Sequence, residues 1–141
     1  MNPIAKNVLV AILGFVIGSF VNMALINIGM HVVPLPEGAD VSTMEGLRES
    51  MKLFTPMNFV FPFLAHAIGT LTGAFVTVKL VTTHHMKFTI GISVAFLMGG
   101  VAAASILGGP VWFIACDLLL AYIPMGILGG FLGSGKKPQP A

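Results

Sequence analysis

The sequence predicts an all-α membrane protein: four transmembrane helices in one bundle, with a short amphipathic helix in the loop between the first two. Three observations carry this reading. The chain of 141 residues is 56% hydrophobic and 9% charged, whereas soluble domains carry about 25% charged residues. Residues 8–30, 57–81, 88–107 and 111–132 form four apolar stretches, each near the ~20 residues that cross a bilayer's hydrocarbon core. Lysine and arginine are also unevenly shared between the connections. Lys6, Lys79, Lys87, Lys136 and Lys137 fall on one side, while Arg48 and Lys52 fall on the other beside Glu37, Asp40, Glu45 and Glu49. The five-to-two bias places both termini in the cytoplasm and the 34–56 loop outside, in a bacterial-type cytoplasmic membrane.

The first span, residues 8–30, follows Lys6. A lysine before an apolar run also describes a signal peptide, but the run is long and no A-x-A site follows it, so a retained helix is expected. Gly14 and Gly18 make a GxxxG pair with Asn22 one further turn along, a face on which another backbone can approach closely.

In the loop, Pro34-Leu35-Pro36-Glu37-Gly38 reads as an extended turn. Ser42-x-x-Glu45 matches a capping box, opening a helix over residues 43–54. Met44, Leu47, Met51 and Phe54 then share one side, and Glu45, Arg48, Glu49 and Lys52 the other, as in a helix lying on a membrane surface. Glu45–Arg48 and Glu49–Lys52 are i,i+3 pairs, and Pro56 is expected to end the helix.

The second span, residues 57–81, carries Pro62 in its early turns, where a missing N–H costs least. Ala65, Gly69 and Gly73 form a small-residue ladder, and His66, Thr70, Gly73 and Thr77 line an adjoining polar face. Both features point this helix at the bundle interior. The third span, residues 88–107, offers Gly91, Ala95, Gly99 and three successive alanines from Ala102, which is packing material. Gly108-Gly109-Pro110 makes a tight turn into the fourth span, residues 111–132, where Trp112 suits the interfacial aromatic belt. Pro124 deprives the Leu120 carbonyl of its donor, so a kink is expected. Gly126/Gly130 and Gly129/Gly133 again invite close contact, and residues 133–141 form a tail expected to be disordered.

Asp117 is the only carboxylate in any of the four stretches. A charge at a span's centre costs roughly 2.5–3.5 kcal/mol on insertion scales, so it should face protein or water. At about 1.5 Å per residue, Asn22, His66 and Asp117 all lie about 9–13 Å below the outer surface. With Thr70 they are the candidate buried polar cluster: a carboxylate touching an imidazole can hold and pass a proton near neutral pH. The competing reading is interhelical glue, worth only about 0.6 kcal/mol per hydrogen bond in membranes. Gly14, Gly18, Gly69, Gly73, Gly126 and Gly130 are the candidate helix-packing residues.

Other classes find little support. There is no nucleophile with a base at helical spacing, no phosphate loop and no second buried acid, so no catalytic residues and no cofactor are expected. His31, Met30, Met44, Met51 and Met57 would suit Cu(I) chemically, but no MxxM or HxxxH spacing appears, and no metal is expected. The single Cys116 forms no framework, and no basic–aromatic interleaving suggests nucleic acid. A small-multidrug type of transporter would carry an acid in its first span, and fluoride-channel-like four-span proteins an asparagine–arginine–phenylalanine pattern; this chain has neither.

Phe63-Leu64-Ala65-His66-Ala67-x-Gly69-Thr70-x-x-Gly73-Ala74 and Pro110-x-Trp112-Phe113-x-x-x-Asp117-Leu118-x-x-Ala121-Tyr122-x-Pro124-Met125 resemble a group of small bacterial four-span integral membrane proteins of hypothetical status. The likeness extends over most of residues 34–132. It implies the four-span topology and no particular activity.

The leading expectation is a non-enzymatic membrane protein acting by helix packing, as a homo-oligomer or an accessory subunit of a membrane complex, because small-residue ladders run on all four spans. The competing expectation is a small proton- or cation-linked channel or transporter with Asp117 and His66 as its titrating pair. Carboxyl-to-imidazole contact within about 4–6 Å favours the second; Asp117 turned to the headgroups removes it.

Overall fold

The computed structural model describes residues 2–135 and is all-helical there. Helix α1 (Pro3–Val32) is followed by α2 (Met44–Ser50), a 3-10 turn (Pro56–Phe59) and α3 (Val60–Leu80). Then come α4 (His85–Leu107), α5 (Val111–Leu120) and α6 (Ile123–Ser134). Four units are long and apolar enough to cross a membrane by length and composition: α1, the 3-10 turn with α3, α4, and α5 with α6. Large apolar side chains such as Leu9, Ile12, Phe20, Met98 and Phe131 remain on the outside, an exterior suited to lipid.

Local chemistry sets the ends of the helices. Helix α1 starts five residues before the expected span because Pro3 occupies its first turn and the Asn2 side chain accepts from the Ile4 amide at 2.9 Å. In the loop, Ser42 is not the cap. Asp40 takes both its amide (2.9 Å) and its hydroxyl (2.6 Å), which holds the Asp40 carboxyl below its usual range. Thr43 therefore caps α2, accepting from the Gly46 amide at 3.0 Å. The helix is shorter than the expected 43–54 stretch: turns over residues 51–53 close it before Pro56. Pro56 opens the 3-10 turn instead of ending a helix, with the Asn58 side-chain Oδ1 accepting from the Thr55 amide and hydroxyl. Of the two expected ion pairs, Glu49–Lys52 forms at 2.6 Å on the surface, a geometry worth little in water.

Helix α3 is central. Against α1 the backbones nearly touch: a Cβ on Gly18 would fall 2.5 Å from the Gly69 carbonyl oxygen, and one on Gly14 2.7 Å from that of Gly73. Phe96 of α4 closes this crossing, its ring 4.7 Å from that of Phe15. Helix α6 is wedged between α3 and α4. Its Gly129 and Gly133 face the Leu71 and Phe75 carbonyls, and its Gly126 and Gly130 face Ser93 and Thr89. Helix α5 begins with Val111, Trp112 and Phe113 and packs more sparsely.

The fourth span is broken, as Pro124 leads one to expect. Helix α5 stops at Leu120, and α6 starts at Ile123 with the proline in its first turn. Gly133 and Ser134, expected in the disordered tail, complete α6 because Gly133 packs on the α3 backbone. Gly135 caps the helix in the left-handed conformation (φ 59°), and the rest of that tail, residues 136–141, lies outside the described residues.

At the end of the bundle that holds the start of α1, buried Asn7 bonds the turn between α3 and α4. Its Nδ2 donates to the Thr83 hydroxyl at 2.9 Å, and its Oδ1 accepts from the Thr82 amide at 3.2 Å. Asn7→Ala leaves the Thr82 amide without its partner and is expected to lower stability by about 1–3 kcal/mol. Denaturant titration in mixed micelles reads this, and an unchanged midpoint would mean that the turn holds without α1.

Candidate functional site

Asp117 lies on the inward side of α5 and is 4% exposed. Its carboxylate meets His66 of α3, whose Nδ1 sits 2.8 Å from Oδ1 and 3.0 Å from Oδ2. The Tyr122 hydroxyl donates to Oδ2 at 2.9 Å, and the tyrosine ring stacks on the imidazole with centroids 5.6 Å apart. One acid thus holds two donors, and the two rings brace each other. An ionised carboxylate assigns the contacting proton to Nδ1. Nε2 then has no hydrogen-bond partner among the described residues.

Each part has a local cause. In a continuous helix, positions five apart diverge by about 140° around the axis, so Tyr122 would not face Asp117. The break at Ala121–Tyr122 swings it back: Tyr122 has φ −111° and ψ −77°. The phenol fits because residue 100 is glycine, where a Cβ would collide with the tyrosine oxygen and ring. Thr70 stays on its own helix, donating to the His66 carbonyl at 2.8 Å.

Asn22, expected in the cluster, makes no hydrogen bond to the pair. It packs on Gly69, and its Oδ1 is buried without a partner. Thr77 Oγ1 is likewise unpartnered, on the same face of α3 but about three turns from His66, where it packs on Gly14 of α1. Tyr122 and Gly100 are site residues that sequence reasoning missed. The signal for Tyr122 was the helix break itself, which cancels the usual spacing rule.

A part-enclosed cavity of about 300 Å³ sits over the pair. His66 and Asp117 belong to its wall, with Leu47 and Met51 from the loop region and Phe61 and Phe113 from α3 and α5. It exists because α5 stands off from α3 and α4 while α6 packs tightly. Asn58 also borders it, but is occupied with Thr55 and the Pro34 carbonyl. No Lys or Arg lines the cavity among the described residues. His31 bonds the Asn27 carbonyl of its own helix. No three His, Cys, Asp or Glu side chains converge as a metal site among the described residues.

A carboxylate–imidazole pair with one free ring nitrogen can store a proton and exchange it with whatever occupies the cavity. No protein-family model matches the chain, nor does any curated protein or any solved structure. The geometry of the site therefore bears on function by itself.

Proposed function

We propose that this chain is a non-enzymatic, multi-pass protein of a bacterial cytoplasmic membrane that works as a small proton-linked channel or transporter, with Asp117 and His66 as its titrating pair. The observation that carries this reading is the 2.8 Å contact between His66 Nδ1 and the Asp117 carboxylate under a cavity. A carboxylate in the apolar layer is costly, and such groups commonly mark ion or proton paths. The lysine bias supports a cavity-bearing end that faces outside, with both termini in the cytoplasm.

The test is proton movement in liposomes loaded with a pH-sensitive dye, under a potassium–valinomycin potential. The expected result is acidification or alkalinisation well above protein-free vesicles, abolished in Asp117→Asn, with the helical content of the variant unchanged. Equal rates for the two proteins would remove the reading.

A second reading, a homo-oligomer or an accessory subunit, is favoured by one observation. Most glycines of the ladders are used up inside the bundle, but Gly91 and Gly99 of α4 meet nothing within 4 Å. With Ala95 between them they leave a small-residue face turned to lipid, where another helix could pack. Native mass in mild detergent, after affinity purification from membranes, separates a lone monomer from a homo-oligomer or a complex.

A further inference from the structure

The cavity over the pair has a chemical bias of its own. We infer that it is a binding site for a lipophilic monocation, an ammonium carried on an apolar or aromatic body. This inference rests on the proton-linked reading for its coupling, but not for the binding itself.

Charge is the first ground. With His66 neutral, Asp117 is the only charged group on the cavity wall, and no Lys or Arg accompanies it among the described residues. A buried carboxylate without a cationic partner is favoured by a cation brought to it, and the low polarity of the surroundings strengthens that attraction. The groups that face Asp117 are His66 from α3 and Tyr122 after the helix break. Cys116, the next residue back, is exposed. Arg48, Glu49 and Lys52 lie outside the cavity wall, and neither α1 nor α4 contributes a titratable side chain to it.

The aromatic wall is the second ground. Phe54, Phe59, Phe61 and Phe113 all border the cavity. Phe59 holds the set together, its ring 4.6 Å from that of Phe113 and 5.7 Å from that of Phe54. Ring faces attract cations, and aromatic cages recognise quaternary ammonium groups in this way. An anion would meet the carboxylate and gain nothing comparable from the aromatic wall. The volume of about 300 Å³ lies at the lower end of small-molecule sites, which suits one ring with a short charged arm.

Coupling follows from charge balance. When the pair carries its extra proton as imidazolium and carboxylate, the wall is neutral and the cation has no counter-charge. Binding therefore drives off one proton. The imidazolium of His66 becomes neutral imidazole, the Asp117 carboxylate stays ionised, the proton leaves to solvent, and the bound cation replaces its charge. Proton and cation compete for one carboxylate.

The test is calorimetric titration of the purified full chain in an uncharged detergent, with benzyltrimethylammonium as probe. Neopentylbenzene, the neutral molecule of the same shape, serves as comparison at matched free concentration. The expected result is saturable one-to-one binding of the cation, at least tenfold tighter than the neutral molecule. Affinity should rise with pH for as long as the pair carries its extra proton, and over that range cation binding should release it, read from buffers of different ionisation heat. Asp117→Asn should weaken the cation by more than tenfold and leave the neutral molecule unaffected. Should that variant fail to fold, the comparison of the two probes on the unaltered chain decides alone, and Phe113→Leu should weaken only the cation. Equal or tighter binding of neopentylbenzene would overturn the site. Cation binding without proton release at every pH across the range in which imidazole titrates would uphold the site and overturn the proton-linked reading. Loss of proton flux in Asp117→Asn with no preference for the cation would do the opposite.

Discussion

Asp117→Leu is expected to destabilise the bundle by about 2–6 kcal/mol, because it leaves two buried donors without their acceptor. Leucine fills the space of the acid but strands two donors, His66 Nδ1 and the Tyr122 hydroxyl, which now meet only the carboxylate. Each buried group left unpaired costs about 1–3 kcal/mol. The break between α5 and α6 removes the easy escape, because the turn at Ala121–Tyr122 holds the phenol inward. Asp117→Asn should be far milder in stability. Its amide oxygen still accepts from the imidazole, so the shape and one contact survive while the titratable group is gone. The two substitutions therefore separate structure from chemistry. Denaturant titration in mixed micelles should rank them in the order wild type, Asn, Leu. If Leu proved as stable as wild type, the carboxylate would be held for function alone. If Asn fell as far as Leu, its charge would be structural.

Depth along the helices was legible in the sequence, and direction around them only in part. Connection lengths and the placement of lysines fix which ends of the helices lie together, so His66 and Asp117 could be put at one level before their contact was known. The same arithmetic brought in Asn22, which the fold turns elsewhere. Its direction was in fact readable: Asn22 lies one turn beyond Gly18, on the face that packs against α3, so it meets Gly69 instead of the cavity. Tyr122 was hidden for the opposite reason. Spacing rules assume a continuous helix, and Pro124 cancels them across the one join that matters. Gly100 was hidden because a glycine in an apolar span reads as packing, and here it packs against one specific phenol. The cavity had no sequence signal. It results from the contrast between α6, lined with glycine, and α5, which begins with three bulky residues.

The glycine ladders had legible faces without legible partners, and this makes the last prediction a sharp one. Gly18→Leu should destabilise the bundle by at least about 3 kcal/mol, at or above the top of the usual ~1–3 kcal/mol of overpacking. The atom in the way is the Gly69 carbonyl oxygen, 2.5 Å from the new Cβ, with the Phe96 ring at 2.7 Å. A flexible side chain could move aside, but a helix backbone cannot, so α1 and α3 must separate along the whole crossing. Gly91→Leu and Gly99→Leu are the matched controls, since nothing lies within 4 Å of either site and leucine is a better helix former than glycine. Both should leave the stability of a single chain unchanged or slightly raised. Their effect on native mass then carries separate information. If the isolated chain is oligomeric and either substitution returns it to a monomer with its proton flux intact, α4 is the face through which copies meet. If mass and flux are both untouched, that face is in contact with lipid. If Gly18→Leu were as stable as wild type, the close crossing of α1 and α3 would be wrong, and with it the placement of α3 that brings His66 to Asp117.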